Sequence, residues 1–479
     1  MKSAQCKKNL LIGKIIAQKL EGGYKKMSSG YVLSDEVLDH KINEPAYPKK
    51  SSYKAERSLN DLDLFTKGQP VDFYKELRDN APVYFHDPMP TDPEPGYWVL
   101  TRHEDIKFVS MNPKIFSSQY ATGNLLTLGT EENRHPKLFK TTIDHMLNLD
   151  GEMHLGLRKE HMPFFKPGFV EDLQKKVSSK VGQLLDQIAP MGECNLVSEV
   201  SQQLPIYTLS EILGIPEADR QKLVSWMEFL ELAQYFTLEQ IKQKNEGVSD
   251  TTPDPEMINL FNAMVDEMFD YGKHILLKKR KNPENDLLSA IANAKIEGEE
   301  LTQEFLDGSW LLIVFAGNDT TRNTMSGGIK LLHDNQDQKE LLINNPDYLP
   351  NFINETVRCV SPVIHMRRTS LEETEINGQR IGPYEKIALW YGAANRDPEI
   401  FDDPDRFNIL RENADKHLAF GIGRHTCLGK PVALMQLKEF YSQFLARFPD
   451  FEMNGEWKVA PNNFVHAIQE MPIKFSPKS

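Results

Sequence analysis

A lone cysteine, Cys427, sits among glycines in the run Phe420-Gly421-Ile422-Gly423-Arg424-His425-Thr426-Cys427-Leu428-Gly429, and an apolar helical stretch over residues 432–440 follows. A thiol just ahead of a helix meets free amide N–H groups and the positive end of the helix dipole, and both favour the thiolate. That is the environment an axial metal ligand needs. Gly421 and Gly423 carry no Cβ, so the backbone there can lie against a planar group, with Phe420 packed on its face. Taken alone, the same residues also describe a buried structural thiol in a glycine-rich loop.

A second set of reactive side chains interrupts an apolar helix. Thr302 is the expected N-cap of a long helix running through Leu311-Leu312-Ile313-Val314-Phe315 and past Thr321, apolar at nearly every turn and therefore buried. Asp319 and Thr320 need a reason to be inside it. A carboxylate beside a hydroxyl can relay protons to a reacting oxygen, and the small residues Ala316 and Gly317 leave room for one. The structural alternative is a kink in which Thr320 bonds back to a carbonyl. Farther along, Glu355 and Arg358 lie three apart on one helix face, a spacing common in surface ion pairs. His154 and Arg158 share a face at i and i+4, and Arg368 follows Pro362; a guanidinium fork suits a carboxylate ligand.

The elements that must hold these groups are mainly α with a minor β portion. Tyr97-Trp98-Val99-Leu100-Thr101 and residues 386–390 read as strands, and Glu375-Ile376-Asn377-Gly378-Gln379-Arg380-Ile381 reads as a hairpin with a type I′ turn. Over residues 213–271 two amphipathic helices flank a polar, proline-broken link at 242–255, a plausible lid. Residues 1–60 read as a tail and extended arm, with the first 26 dispensable if translation starts at Met27, and 61–479 as one catalytic domain. The 479 residues, 40% hydrophobic and 26% charged, can build a large core. Fifty-six basic against 69 acidic residues give a net charge of −13, which argues against nucleic acid as the main partner. Cys6, Cys194, Cys359 and Cys427 are widely spaced, which points to a reducing, cytoplasmic compartment. The apolar run at 10–17 is too short to span a bilayer, so no stable membrane anchor is expected.

The cysteine segment resembles the haem-ligand signature of the cytochrome P-450 superfamily, soluble bacterial class, at every defined position. Ala316-Gly317-Asn318-Asp319-Thr320-Thr321 resembles its distal oxygen-binding segment, and Glu355-Thr356-Val357-Arg358 its Glu-x-x-Arg pair; the likeness runs from about Leu62 to the C-terminus. It implies a single-domain fold in which a long buried distal helix lies over a haem ligated by Cys427. It further implies haem b (iron protoporphyrin IX) lined by Phe420, Gly421, Gly423, Ala316 and Gly317, with His154, Arg158, Arg368 and His425 as partners of its propionates. Asp319 and Thr320 become the proton relay. Glu355 and Arg358 become a buried structural network completed by Arg406 of Pro404-Asp405-Arg406-Phe407.

The resemblance implies insertion of one oxygen atom from dioxygen into a C–H bond by a monomeric enzyme. No cysteine cluster for an iron–sulfur centre occurs, so electrons are expected from NAD(P)H through a ferredoxin reductase and a 2Fe–2S ferredoxin. Lys159, Lys166, Arg424, Lys430 and Lys438 are the basic residues suited to docking it. Alkanes, terpenoids and steroids are the expected substrates, by resemblance around residues 316–323 and 365–369. Polar residues in the substrate-contacting segments, Gln119, Tyr120, Asn124, Gln234, Tyr235, His365 and Asn463, support a second reading: oxidative O-demethylation of a methylated sugar such as 6-O-methyl-galactose, releasing formaldehyde. Two further readings are a non-catalytic haem-binding gas sensor, and peroxide-driven turnover; the retained Asp319-Thr320 pair argues against both.

Overall fold

A computed structural model describes residues 44–87, 96–119, 137, 141, 145–227, 229 and 255–477, preceded by two short paired strands, Lys26–Met27 and Gly30–Tyr31. Helices dominate: α1 (His103–Met111), α2 (Gly151–His161), α3 (Pro167–Ile188), α4 (Gln203–Leu213), α5 (Pro255–Lys281), α6 (Gln303–Ala316), α7 (Asp319–Asp334), α8 (Leu349–Val360) and α9 (Lys430–Arg447) position the site. α7 packs against α4, α8 and α9, and α3 runs along α9. In α3 the buried residues Leu173, Val177, Val181, Leu184 and Ile188 recur every three or four positions, so one face enters the core and the other stays wet. Each such aliphatic side chain contributes about 1.5–3 kcal/mol of burial.

Among the described residues the chief sheet has five strands, β1 (Val83–His86), β2 (Tyr97–Leu100), β3 (Phe116–Ser117), β4 (His365–Ser370) and β5 (Lys386–Trp390), in the spatial order β1-β2-β5-β4-β3. β2 and β5 run parallel with Ile387 opposite Trp98, while β4 is antiparallel to β5 with Ile387 opposite Arg368. Because side chains alternate along a strand, Arg368 and His365 point to opposite faces. The expected hairpin forms between Thr374–Ile376 and Gln379–Ile381, and its turn residues Asn377 and Gly378 have φ of 50° and 76°, as a type I′ turn requires.

Two expectations change. The described end of the supposed arm is docked: the Ala46 amide donates to Glu385, the Lys50 amide donates to Gln379, and Leu59 is buried. Thr302 does cap the long apolar helix by position, without a side-chain cap bond, but that helix is two, broken at Gly317 and Asn318. At the break the Thr320 hydroxyl donates to the Ala316 carbonyl over 3.4 Å, a side-chain bond at a carbonyl the helix would otherwise use. The kink and the reactive pair are therefore one feature.

Candidate active site

The Cys427 loop folds on three backbone bonds: Cys427 donates to the Phe420 carbonyl (2.8 Å), Gly421 to Leu418 (2.8 Å) and Thr426 to Gly423 (3.2 Å). Gly421 and Gly423 adopt left-handed φ of 66° and 77°. At Gly423 the structure adds a reason of its own beside the expected approach of a planar cofactor. A Cβ on Gly423 would lie 2.7 Å from the Ser110 carbonyl oxygen at the end of α1, so the glycine makes way for protein backbone. α9 begins at Lys430, and the amides of Gly429 and Lys430 turn toward the Cys427 sulfur.

The Cys427 side chain is exposed although protein surrounds it, so its sulfur faces an internal space. Burial outweighs the two amides, Arg158 and Lys430, which pull the other way, and holds its thiol above the ordinary range. An accessible, enclosed sulfur with amide donors and cations beside it fits a thiolate ligand of a bound metal. Phe420 packs tilted against His417 with ring centroids 5.6 Å apart, and the Lys430 ammonium sits 5.4 Å over the Phe420 ring.

On the distal helices, Trp310, Leu311, Val314 and Asn318 are buried. Leu312, Ile313, Phe315, Ala316 and Thr320 remain accessible, and the Thr320 hydroxyl reaches back across the break to the Ala316 carbonyl. Small and apolar residues left accessible along an otherwise buried helix suit the lining of an interior space. Asp319 opens α7; its Oδ1 accepts from Asn318 Nδ2 at 3.1 Å and pairs with Arg322 at 3.4 Å. Gly317 lets α4 approach, since a Cβ there would stand 3.0 Å from Leu209.

The four cationic or imidazole residues assigned to a dianionic ligand converge on the Cys427 loop. Arg158 Nη2 donates to the Thr426 carbonyl at 2.7 Å. His154 is buried and stacks on His425 with centroids 4.1 Å apart. Burial, then His425 and Arg158, push the His154 imidazole down to about 3, so it is neutral and keeps one N–H donor. Arg368, on the β4 face opposite His365, is electrostatically coupled to His425 and to Asp150. A buried guanidinium, Arg368, and a half-buried one, Arg158, beside two imidazole donors fit a ligand carrying carboxylates.

Asp150 and Ser118 were absent from the sequence-derived site. Ser118 Oγ lies 3.0 Å from His425 Nε2, and Asp150 Oδ1 lies 3.6 Å from the same nitrogen. Neither belongs to a local motif, and both come to His425 only through the packing of β3 and α2.

Glu355 and Arg358 are completely buried and paired through both carboxylate oxygens at 2.7 Å. The third partner is Arg411, whose Nε donates to both Glu355 oxygens at 3.1 Å; it replaces the expected Arg406. The Arg406 side chain is exposed, and that residue contributes only its carbonyl, to Arg358 (3.3 Å) and Arg411 (3.0 Å). Glu355→Gln leaves two buried guanidiniums without their counterpart and is expected to cost about 3–5 kcal/mol of stability, more than Arg411→Ala, after which Arg358 still pairs with Glu355. Denaturant titration checks this, and Arg406→Ala is expected to leave the midpoint within a few tenths of a molar unit of denaturant, at about 0.5 kcal/mol or less.

Two proposed substrate contacts are corrected. His365 is buried against Trp390 (centroids 4.7 Å) with Nδ1 2.9 Å from the Asn463 carbonyl, and Asn463 Nδ2 donates to the Leu59 carbonyl at 2.9 Å. Strand alternation turns His365 away from the Arg368 face. Gln119 is half-buried at the end of β3, with its amide donating to Ser117 Oγ. Tyr120, Asn124, Gln234 and Tyr235, and the link of the supposed lid, lie outside the described residues.

A thiolate loop feeding a helix, a kinked distal helix with an acid–alcohol pair, and a buried Glu-Arg-Arg network on a mainly helical single domain define a haem-thiolate oxygenase. Comparison with known proteins agrees. The Cytochrome P450 family model matches residues 144–475, and the chain belongs to that family. It is 32% identical over 423 residues to linalool 8-monooxygenase of Pseudomonas putida, covering 88% of this chain and 99% of that one. It is 29% identical over 426 residues to steroid C26-monooxygenase of Mycolicibacterium smegmatis, covering 88% and 97%. The solved structure of cytochrome P450-153 from Novosphingobium aromaticivorans superposes with a TM-score of 0.74 at 26% identity, over 87% of this chain and 98% of that one. The protein is a cytochrome P450 monooxygenase that holds haem iron and draws NAD(P)H-derived electrons through partner proteins. No helix among the described residues is long and apolar enough to cross a membrane.

Proposed function

We propose that this monooxygenase hydroxylates an apolar molecule of the terpenoid, steroid or branched-lipid class. The observation that carries the reading is the accessible distal lining at Leu312, Ile313, Phe315, Ala316 and Thr320, which offers a substrate apolar contact and a single hydroxyl. The relatives named for linalool and for the steroid C26 position support the same class. Haem b, ligated by Cys427 and held through its carboxylates by Arg158, Arg368, His154 and His425, supplies oxygen activation when bound. The chain's own part is to keep the sulfur as a thiolate, hold substrate against the apolar lining, and deliver protons through Asp319 and Thr320.

Electrons are proposed to arrive from a 2Fe–2S ferredoxin and its NAD(P)H-dependent reductase. Lys159, Lys166, Arg424 and Lys438 are exposed near the thiolate loop and α9. Met111, whose sulfur would meet a Cβ on Gly423 at 3.2 Å, places an exposed apolar side chain beside Arg424. A cationic face with an apolar centre suits a small acidic partner. The enzyme acts as a cytoplasmic monomer in this reading, with residues 61–479 as the catalytic domain.

The methylated-sugar alternative loses His365 and Asn463, whose polar groups serve the sheet. A screen for the low-spin to high-spin shift of the ferric haem across alkanes, terpenoids, steroids and methylated sugars decides between them. Terpenoid or steroid ligands are expected to give the largest shift at the lowest concentration; a shift only with methylated sugars would overturn the proposal.

A further inference from the structure

Asp150 occupies the N-cap of α2, with the extended backbone of a capping residue (φ −122°, ψ 179°), yet its side chain makes no cap bond. Aspartate at an N-cap ordinarily accepts from the amide two or three residues on. Gly151, next in the chain, has φ of +62°, which turns the backbone out of the usual helical entry. The carboxylate points instead across the pocket. Its Oδ2 accepts from the Ser117 hydroxyl and from the Ser118 amide (2.9 Å), tying the end of β3 to the start of α2. Its Oδ1 is shut off from solvent and has no hydrogen-bond partner, 3.6 Å from His425 Nε2. Arg368 faces the same carboxylate, and His154 stacks on the His425 ring. Burial pushes the Asp150 carboxyl up, but His425, Ser117 and Arg368 outweigh it and hold it below the ordinary range.

A cap forgone, a bent helix entry and an unpartnered buried oxygen all point one way. We propose that Asp150 is a positioning residue of the haem pocket: its carboxylate fixes His425 in place and sets a negative charge among the propionate-binding cations, lowering the reduction potential of the haem. The sign follows from Coulomb's law, since a nearby anion favours the more positive ferric state over the ferrous one, and in a water-poor pocket that preference is weakly screened. A merely structural aspartate would affect folding without moving the potential. The inference rests on the haem-thiolate reading of this site.

The test measures ferric/ferrous midpoints by spectroelectrochemistry, with haem content and the reduced carbon monoxide spectrum recorded for each protein. Asp150→Asn keeps the shape and removes the charge. Asp150→Ser also removes it while leaving a small hydroxyl in place, so the two neutral variants separate loss of charge from loss of shape. Asp150→Glu keeps the charge. Both neutral variants are expected to show a raised midpoint, with Asp150→Glu close to the wild type. Neutral variants that hold haem, show the thiolate-type carbon monoxide band and keep the wild-type midpoint would overturn the proposal. A wild-type protein lacking that band would instead defeat the haem-thiolate reading itself.

Discussion

Cys427→Ser is expected to abolish the strongly red-shifted Soret band of the reduced, carbon monoxide-bound protein and, with it, substrate oxidation. The band reports a thiolate ligand. A serine hydroxyl stays protonated near neutral pH, so the Gly429 and Lys430 amides and the nearby Arg158 would then face a neutral oxygen that donates little electron density. Folding is expected to survive, because the loop is held by the backbone bonds at Phe420, Leu418 and Gly423, and none of them uses the sulfur. The control is a melting temperature within a few degrees of wild type, equivalent to about 1 kcal/mol or less. A variant that keeps the red-shifted band would remove Cys427 from the metal site.

The second large effect lies at the helix break. Asp319→Asn retains the shape of the side chain but cannot carry a proton as a carboxylate does, and product formation is expected to fall by about 10²-fold. Thr320→Ala removes the accessible hydroxyl and its bond to the Ala316 carbonyl. Electron consumption is then expected to continue while reducing equivalents are diverted to hydrogen peroxide, so the ratio of product to NAD(P)H consumed drops. Measuring product, peroxide and NAD(P)H together separates the two cases. Unchanged coupling in both variants would take the pair out of proton delivery. Asn318 and Arg322, which hold Asp319 Oδ1, keep the Asp319 carboxylate beside the kink in the resting protein.

Much of the chemistry was legible before any fold was known, because it is carried by short segments whose residue types and spacing are local properties. Cys427 with its glycines, Asp319 beside Thr320, and Arg358 three residues after Glu355 each need only a few consecutive positions. The Asn377-Gly378 turn was equally readable, since a tight hairpin constrains its own φ angles. Partner choice was less so. Arg406 fitted the expected motif, but the third member of the Glu355 network is Arg411, because the path of the loop between them turns one guanidinium inward and leaves the other exposed.

The same distinction governs the corrected residues. His365 lies three positions from Arg368, and only its place on β4 shows that an odd spacing sends the two to opposite faces. Gly423 also makes way for the carbonyl of Ser110, more than three hundred positions away, which no local spacing reveals. Asp150 carried no local signal, and only the approach of β3 and the thiolate loop gives its carboxylate its partners. The sequence by itself determined which reaction class the protein runs, since the reacting groups and the turns that present them are encoded in contiguous residues. Only the tertiary structure decided which arginine, histidine and aspartate complete the site, because those roles depend on contacts between segments distant in the chain, and burial, strand parity and backbone approach are settled when the segments pack.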